Sequence, residues 1–354
     1  MDRANLEDSY TLLPSDEENV INKEIEKEVN DEHFQETSPQ LWRKIGSALF
    51  YGITSFLLTV VNKTVLTSWH FPSFLVISIG QLAATVIALY IAKIMGVVSI
   101  PNFHREIPRK VMPLPIVHFG NMVTGLGGTQ AISLPMFTAF RRFSILITMI
   151  LEYKILGVQP SLAVQMSVWC MLSGTMLAAI DDLTFTIEGY SYIMLANFMT
   201  AAYGVYIKQK LNTVDIGKYG IMFYNSLIMI LPALLLAWLT GDLHTASKYK
   251  HWAEPLFFVQ FLSTCFMGFI LTYSTFLCTQ YNSALTTAMV GCIKNVFVSY
   301  IGMYIGGDYV FSWLNYIGIN ISIIGSIYYT YIIFAKKDQP TPQVKTNQKY
   351  NDMI

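Results

Sequence analysis

The sequence predicts an all-α integral membrane protein with about ten membrane-spanning helices. Of its 354 residues, 53% are apolar and 13% are charged, whereas soluble domains contain about 25% charged residues. The mean hydropathy is positive, at +0.44. Because a helix needs about 20 apolar residues to cross a bilayer, the apolar stretch between Lys44 and Lys336 has room for these spans and short connections. It leaves no room for a sizeable soluble domain.

The two ends of the chain differ from this apolar stretch. Residues 1–41 contain 12 Asp and Glu but 3 Lys and Arg, and they lack apolar periodicity, which is typical of a disordered acidic tail. They also lack the basic start and apolar core of a signal peptide, so the first span is expected to direct insertion. Residues 336–354 are predicted to form a second disordered tail. The predicted domains are therefore 1–41, 42–335 and 336–354.

Polar residues and Pro or Gly breaks divide the central domain into ten hydrophobic segments. Their predicted limits are 45–66, 73–95, 111–129, 133–154, 160–180, 187–210, 217–240, 256–279, 283–306 and 311–335. With the N-terminus in the cytosol, 12 Lys and Arg of the connections and the C-terminal end lie on the cytosolic side, and 2 lie opposite. This bias follows the positive-inside rule, so both termini are predicted to be cytosolic.

Ten spans divide into two halves of five, residues 45–180 and 187–335. Because five is odd, the second half crosses the membrane in the opposite direction to the first. Such inverted repeats are common in alternating-access carriers, which bind their substrate near the midplane where the halves meet.

Four cations lie inside predicted spans and away from the cytosolic ends of those spans, where a charge costs at least about 2.5–3.5 kcal/mol. Lys294 lies in the middle of the ninth span, Arg141 and Arg142 lie in the fourth, and Lys63 lies toward the far end of the first. The fourth and ninth spans are each the fourth helix of their half, so their cations are predicted to face one central cavity as a symmetric pair. The acidic residues near these spans are fewer and lie at helix ends.

An anion that binds and leaves is the expected counterpart of this charge. Phosphate is suitable because an arginine binds it through two parallel hydrogen bonds and a lysine binds it as a point charge. Lys63 either contributes to this site or extends to the membrane surface. One of the two adjacent arginines faces away from the cavity, since neighbours on a helix point about 100° apart, and which one stays open.

Further residues suit a ligand that carries a base. Tyr224 and Asn225 lie inside the seventh span, where a buried amide needs hydrogen-bond partners. A nucleobase edge or the backbone of another helix would supply them. Tyr203 in the sixth span either stacks on a ring or packs between helices. Lys208 lies nearer the cytosolic end and either contacts the ligand or anchors the helix.

No pattern in the sequence indicates a cofactor, a metal, a nucleic acid or a catalytic group. The four cysteines lie in apolar spans without metal-ligand spacing. Asp181 and Asp182 are the pair that a membrane enzyme, such as a polytopic glycosyltransferase, would use for a metal, but no long lumenal domain is available to hold an acceptor. A channel is a further alternative, although the two halves and the mixed base and phosphate features favour a carrier.

Several sequence blocks carry a family resemblance. They are Val61-Asn62-Lys63, Leu134-Pro135-Met136-Phe137-Thr138, Arg141-Arg142-Phe143-Ser144, Glu188-Gly189-Tyr190, Lys208-Gln209-Lys210-Leu211, Gly217-Lys218-Tyr219-Gly220, Cys278 to Thr287, Gly291 to Asn295, Gly306-Gly307-Asp308-Tyr309 and Asn320-Ile321-Ser322-Ile323. Through these blocks, residues 45–335 resemble the nucleotide-sugar transporters of the drug/metabolite transporter superfamily, in particular subfamily D of solute carrier family 35.

The resemblance implies a carrier that exchanges a cytosolic UDP-sugar (UDP-glucuronate, UDP-GlcNAc, UDP-GalNAc or a similar one) for UMP. The expected membrane is that of the Golgi or the ER, and the expected partners are these nucleotides and membrane lipids, with a homodimer as one candidate assembly. The alternative is a carrier of sugar phosphates or another phosphorylated metabolite. Which UDP-sugar is preferred stays open.

Two family motifs carry over to particular residues. Related GDP-mannose carriers contact the base through Phe-Tyr-Asn-Asn, which here reads Phe-Tyr-Asn-Ser, so the resemblance assigns the base to Tyr224 and Asn225. Their Gly-Ala-Leu-Asn-Lys motif, which binds sugar and phosphate, reads Gly-Cys-Ile-Lys-Asn over residues 291–295. The order of lysine before asparagine resembles that of the UDP-sugar branch of the family. It assigns the diphosphate to Lys294, and the sugar to Asn295 and its neighbours, with Gly291 in the same stretch.

Overall fold

The computed structural model describes residues 15–131, 140–179, 187–294 and 313–334. Across these ranges the regular structure is helical, and they contain no β-strand. The helices are α1 (Ser15–Lys63), α2 (Phe74–Ile94), α3 (Ile107–Val111), α4 (Leu114–Ala131), α5 (Phe143–Leu151), α6 (Leu162–Ala179), α7 (Ile187–Thr213), α8 (Gly217–Leu239), α9 (Asp242–Ser247), α10 (Pro255–Tyr281), α11 (Ala284–Lys294) and α12 (Trp313–Phe334). Short π-helical segments follow α1 and α5, and a 3₁₀ turn spans Lys250–Ala253.

Five helical segments in the described part of the chain are long and apolar enough to cross a bilayer. They are Pro39–Ser68, Phe74–Ile94, Gly217–Leu239, Pro255–Tyr281 and Tyr316–Phe334. Two shorter apolar helices, Leu162–Ala178 and Ala284–Lys294, end at or next to the limits of described ranges. The all-helical class predicted from the sequence is confirmed. Ten spans in two inverted halves stay a prediction.

Helix α1 begins at Ser15, so residues 15–41 are helical where the sequence predicts disorder. This segment is rich in Glu, which has a high helix propensity, and polarity alone does not distinguish a solvated helix from a disordered tail. The chain divides into two compact units, residues 1–46 and residues 47–354. The predicted domain limits at residues 41 and 335 stay a prediction.

The two largest groups of buried apolar side chains among the described residues both lie in the second unit. The first lies among α2, α4, α7, α8 and α10, with members that include Leu89, Leu114, Ile207, Met222 and Phe276. The second lies among α5, α6, α11 and α12, with members that include Ile145, Met171, Leu285, Met289 and Tyr329. Large apolar side chains such as Leu231, Trp238 and Ile324 are exposed, as is expected where helices face lipid.

Helices α6 and α12 approach each other at glycines. A Cβ atom added to Gly318 would lie 2.5 Å from the carbonyl oxygen of Gly174, a distance that a real side chain does not tolerate. Small residues at helix contacts let backbones pack closely in membranes. The glycines therefore fix the distance between these two helices.

The turn between α10 and α11 is held by two charged side chains from other helices. The ammonium of Lys208 on α7 donates to the last carbonyl oxygens of α10 and its turn, at Thr279 (3.0 Å), Gln280 (3.0 Å) and Asn282 (2.6 Å). The buried carboxylate of Glu152 accepts from the backbone N–H of Leu285 at 3.1 Å. Each charge complements the partial charge of the helix end that it contacts.

Candidate functional site

Three of the predicted buried cations converge between α5 and α11. Arg141 and Arg142 directly precede α5, and Lys294 is the last described residue of α11. All three lie close enough to Cys292 to interact with it electrostatically, and Lys294 also interacts with Arg141. Like charges in a low-dielectric interior repel each other strongly. We call Arg141, Arg142 and Lys294 the cationic centre.

Hydroxyl groups orient two of these cations. Arg141 Nη1 donates to Thr200 Oγ1 on α7 at 3.0 Å, and Thr200 in turn donates to Asn121 Oδ1 on α4 at 2.6 Å. Lys294 Nζ donates to Thr59 Oγ1 on α1 at 3.3 Å. These hydroxyls help to fix the positions of the two charged groups.

Gly291 lies one helical turn before Lys294 and faces Tyr51 of α1. A Cβ atom added to this glycine would lie 3.2 Å from the Tyr51 hydroxyl oxygen. Tyr51 also interacts electrostatically with Arg141. Because glycine has no side chain, the Tyr51 phenol can lie close to α11 at the edge of the cationic centre.

A second polar cluster, without formal charge, lies among α4, α7 and α8. The rings of His118 and Tyr203 stack with centroids 4.4 Å apart and planes at 24°. His118 Nδ1 lies 3.1 Å from Asn225 Nδ2. Asn225 is fully buried, and its Oδ1 has no hydrogen-bond partner among the described residues. We call His118, Tyr203 and Asn225 the neutral cluster.

The two groups are neighbours because they share two helices. On α4, His118 of the neutral cluster lies three residues before Asn121, which belongs to the hydrogen-bond chain of Arg141. On α7, Thr200 of that chain lies three residues before Tyr203. Residues three apart on a helix share a face and are separated by about 4.5 Å along its axis. The cationic centre and the neutral cluster are therefore adjacent along α4 and α7.

The remaining predicted site residues lie elsewhere. Tyr224 is buried, and its hydroxyl donates to the carbonyl oxygen of Pro101 at 2.7 Å. Lys208 binds the end of α10, as described above. Lys63 is exposed at the end of α1. Asn295 lies outside the described residues.

A cavity of about 500 Å³ opens beside Pro101. It is lined by Pro101, His104, Glu106, Ile107, Lys110, Asp215 and Ile216. None of these residues belongs to either polar group.

Sequence reasoning missed five polar side chains of this region, namely Tyr51, Thr59, His118, Asn121 and Thr200. One signal was present. His118 and Asn121 are polar residues three apart within a predicted apolar span, where buried polar groups need partners. Thr59, Thr200 and Tyr51 gave no comparable signal, because threonine and tyrosine are ordinary components of membrane helices.

Several apolar spans around a buried cationic centre define a membrane transporter. Residues 45–330 match the model of the Triose-phosphate Transporter family, which covers well over half of the chain. The chain therefore belongs to the Triose-phosphate Transporter family.

Curated relatives extend over most of the chain. It is similar to the UDP-sugar transporter UST74c of Drosophila melanogaster, with 58% identity over 309 residues, 87% of this chain and 83% of that protein. It is 52% identical over 299 residues to the UDP-sugar transporter sqv-7 of Caenorhabditis elegans, covering 84% and 91%. It is 47% identical over 309 residues to the human nucleotide sugar transporter SLC35D2, covering 87% and 92%.

These similarities confirm the expected resemblance. Because the family and these relatives are transporters, the membrane-enzyme alternative is set aside. A solved crystal structure of 13% identity also matches, with a TM-score of 0.55 over 83% of this chain and 99% of the other. At this identity the match concerns the fold alone.

Proposed function

We propose that this protein carries UDP-sugars from the cytosol into the lumen of the Golgi or the ER in exchange for UMP. The observation that carries the proposal is the adjacency of the cationic centre and the neutral cluster on shared faces of α4 and α7. A nucleotide diphosphate sugar has the matching order of groups, with a neutral base at one end and two phosphates beyond the ribose. The names of the relatives from fly, nematode and human support the same substrate class.

The diphosphate is assigned to the cationic centre. Lys294 and Arg141 are directed by Thr59 and Thr200 into one region, and a guanidinium and an ammonium are the two groups that bind phosphate best in proteins. Arg142 is the more deeply buried arginine and lies beside them. We therefore assign direct phosphate contact to Lys294 and Arg141, and a supporting charge to Arg142.

The uracil is assigned to the neutral cluster. A buried acceptor without a partner costs about 1–3 kcal/mol, so a base N–H that reaches Asn225 Oδ1 would recover that free energy. Tyr203 offers an aromatic face beside it. Tyr224 is given a structural role in this proposal, because its hydroxyl is engaged with Pro101. Lys208 is likewise assigned to the α10–α11 turn and Lys63 to the membrane surface.

The sugar is assigned to the region around Gly291, where Tyr51 and Thr59 supply hydroxyls. Asn295 stays a predicted contact from the sequence. Discrimination among UDP-glucuronate, UDP-GlcNAc and UDP-GalNAc rests on a few such contacts, each worth about 1–3 kcal/mol.

Exchange follows from the repulsion within the cationic centre. Without an anion, bringing Arg141 and Lys294 together in an occluded state is unfavourable. A UDP-sugar or UMP favours that state because it binds the closed arrangement better than the open one, and only such differential binding shifts a conformational equilibrium. The proposed frame is the alternating-access fold of ten helices in two inverted halves, with residues 42–335 as the transporter domain and both termini cytosolic. Homodimerisation stays a prediction.

A ligand panel tests the substrate class. We expect UMP and UDP-GlcNAc to raise the melting temperature of the purified full-length protein, since a ligand that binds only the folded state adds RT ln(1 + [L]/Kd) to its stability. GMP, CMP and triose phosphate at the same concentration should raise it less. A shift by GMP equal to that by UMP would contradict the proposal.

A second candidate, transport of sugar phosphates or another phosphorylated metabolite, is favoured by the cationic centre itself and by the description of the family. Sugar phosphates carry no nucleobase, so a site for them would not need the neutral cluster. Competition by UMP separates the two, because a sugar-phosphate carrier would bind glycerol phosphate or triose phosphate in its presence.

A further inference from the structure

The side chain of His118 lies against the amide of Asn225 within the neutral cluster. The amide nitrogen of Asn225 faces the imidazole, with Nδ2 at 3.1 Å from Nδ1. An amide nitrogen is a donor only, so Nδ1 accepts and the neutral ring carries its proton on Nε2. This contact leaves Oδ1 as the amide atom that lacks a partner among the residues the structure describes.

The imidazole is itself held in place. Its ring stacks on Tyr203 at a centroid distance of 4.4 Å, and the Tyr203 side chain also interacts with Asn225. The ring plane and the amide therefore have little freedom to rotate independently. In the tautomer that carries its proton on Nε2, a rotation of the amide by 180° would set Oδ1 against the lone pair of Nδ1, and two acceptors that face each other repel.

We propose that His118 is a positioning residue that presents Asn225 Oδ1 to the base and so makes the site select uracil over cytosine. The inference rests on the proposed function. Uracil carries a proton on N3, and that N–H matches an acceptor. Cytosine has a lone pair at N3 and would meet Oδ1 as a second acceptor. Because the phosphates are bound at the cationic centre, a cytosine base cannot shift to place its exocyclic amino group against Oδ1.

Two substitutions separate the hydrogen bond from the packing of the ring. His118→Phe keeps an aromatic ring against Tyr203 and removes the acceptor. His118→Asn removes the ring and keeps an acceptor close to the position of Nδ1. The measurement is displacement of labelled UDP-GlcNAc from the purified full-length protein by UMP and by CMP, which gives the ratio of their dissociation constants for each variant.

In the wild type we expect UMP to bind about tenfold or more tightly than CMP, in the range of a good base contact. In His118→Phe this ratio should fall to within about threefold, mainly through weaker UMP binding. In His118→Asn it should stay near the wild-type value. Displacement by pyrophosphate, which needs only the cationic centre, should be unchanged in both variants and verifies that they are folded.

Four outcomes would overturn the inference. In the first, His118→Phe keeps the wild-type ratio while pyrophosphate binding is intact. In the second, both variants lose the ratio equally, so that ring packing and not the acceptor sets selectivity. In the third, pyrophosphate binding is lost in both variants, which gives His118 a general structural role. In the fourth, the wild type prefers CMP, which means the opposite amide orientation. A wild type that binds pyrophosphate but no uridine nucleotide would contradict the proposed function itself.

Discussion

The ammonium of Lys208 donates a 2.6 Å hydrogen bond to the carbonyl oxygen of Asn282. Together with its bonds to Thr279 and Gln280, this contact ties α7 to the turn that joins α10 and α11. The turn directly precedes the helix that carries Lys294. Lys208 thus anchors the connection between α10 and α11 from outside the cationic centre.

Lys208→Met should destabilise the protein and leave its ligand affinity intact. Hydrogen bonds to charged groups contribute about 1.5–3 kcal/mol, so we expect a loss of this size in the free energy of unfolding, measured by thermal or denaturant unfolding in mild detergent. Lys210→Met, two residues further along α7, is the matched control and should have little effect. Unchanged stability with lost UMP binding would instead assign Lys208 to the ligand site.

Glu152 and Lys208 should be energetically coupled. Glu152 accepts from Leu285 at the start of α11, and it also interacts electrostatically with Lys208. Neighbours in one network typically show coupling energies of about 0.5–3 kcal/mol. A double-mutant cycle of Glu152→Ala and Lys208→Met, read by unfolding free energy, should therefore be non-additive. Strict additivity would mean that the two helix ends are held independently.

Gly291→Val should abolish UDP-sugar binding, and Gly291→Ala should weaken it. The alanine Cβ would lie 3.2 Å from the Tyr51 hydroxyl oxygen, so the phenol would have to move away from its place in the proposed sugar site. A displaced specificity contact costs about 1–3 kcal/mol, or roughly 5- to 150-fold in Kd. Gly46→Ala is the control, because a Cβ at that position meets nothing within 4 Å. Equal affinities for Gly291→Ala and the control would show that Tyr51 moves aside freely.

Charge removal at the cationic centre should reduce the affinity for UMP. Lys294→Ala and Arg141→Ala each lose a charged phosphate contact of about 1.5–3 kcal/mol, or roughly 10- to 150-fold in Kd. Lys110→Ala removes an exposed lysine that pairs with Glu106 at 3.8 Å and should leave the affinity unchanged. If all three variants bound UMP equally well, the cationic centre would not be the phosphate site.

The sequence could predict the cations but not their partners. The cost of charge in a membrane identified Lys294, Arg141 and Arg142. Their spans are each the fourth of their half, which predicted that the cations lie near each other, and all three interact electrostatically with Cys292. Their binding role stays a proposal. That Thr200 and Asn121 would meet beside Arg141 was not predictable, because which faces of α4 and α7 oppose each other depends on helix rotation, and apolar residues surround both faces.

The hydrogen-bond partner of the buried Asn225 amide was not predictable either. Burial of Asn225 was predictable from its span, and its need for partners followed. The sequence offered a base or a helix backbone as that partner, whereas the structure gives the side chain of His118. Lys208 was ambiguous for a related reason. A lysine near a helix end is either an anchor or a ligand contact until the helix end beside it is known.

Uptake of a labelled UDP-sugar by proteoliposomes tests the central claim most directly. The purified protein is reconstituted with and without UMP inside, and the initial uptake rate of UDP-GlcNAc or UDP-glucuronate is compared between the two, with Lys294→Ala and Lys110→Ala alongside. We predict rapid uptake only in vesicles that contain UMP, loss of that uptake in Lys294→Ala, and its retention in Lys110→Ala. Equal rates with and without internal UMP, or full uptake by Lys294→Ala, would contradict exchange at the cationic centre.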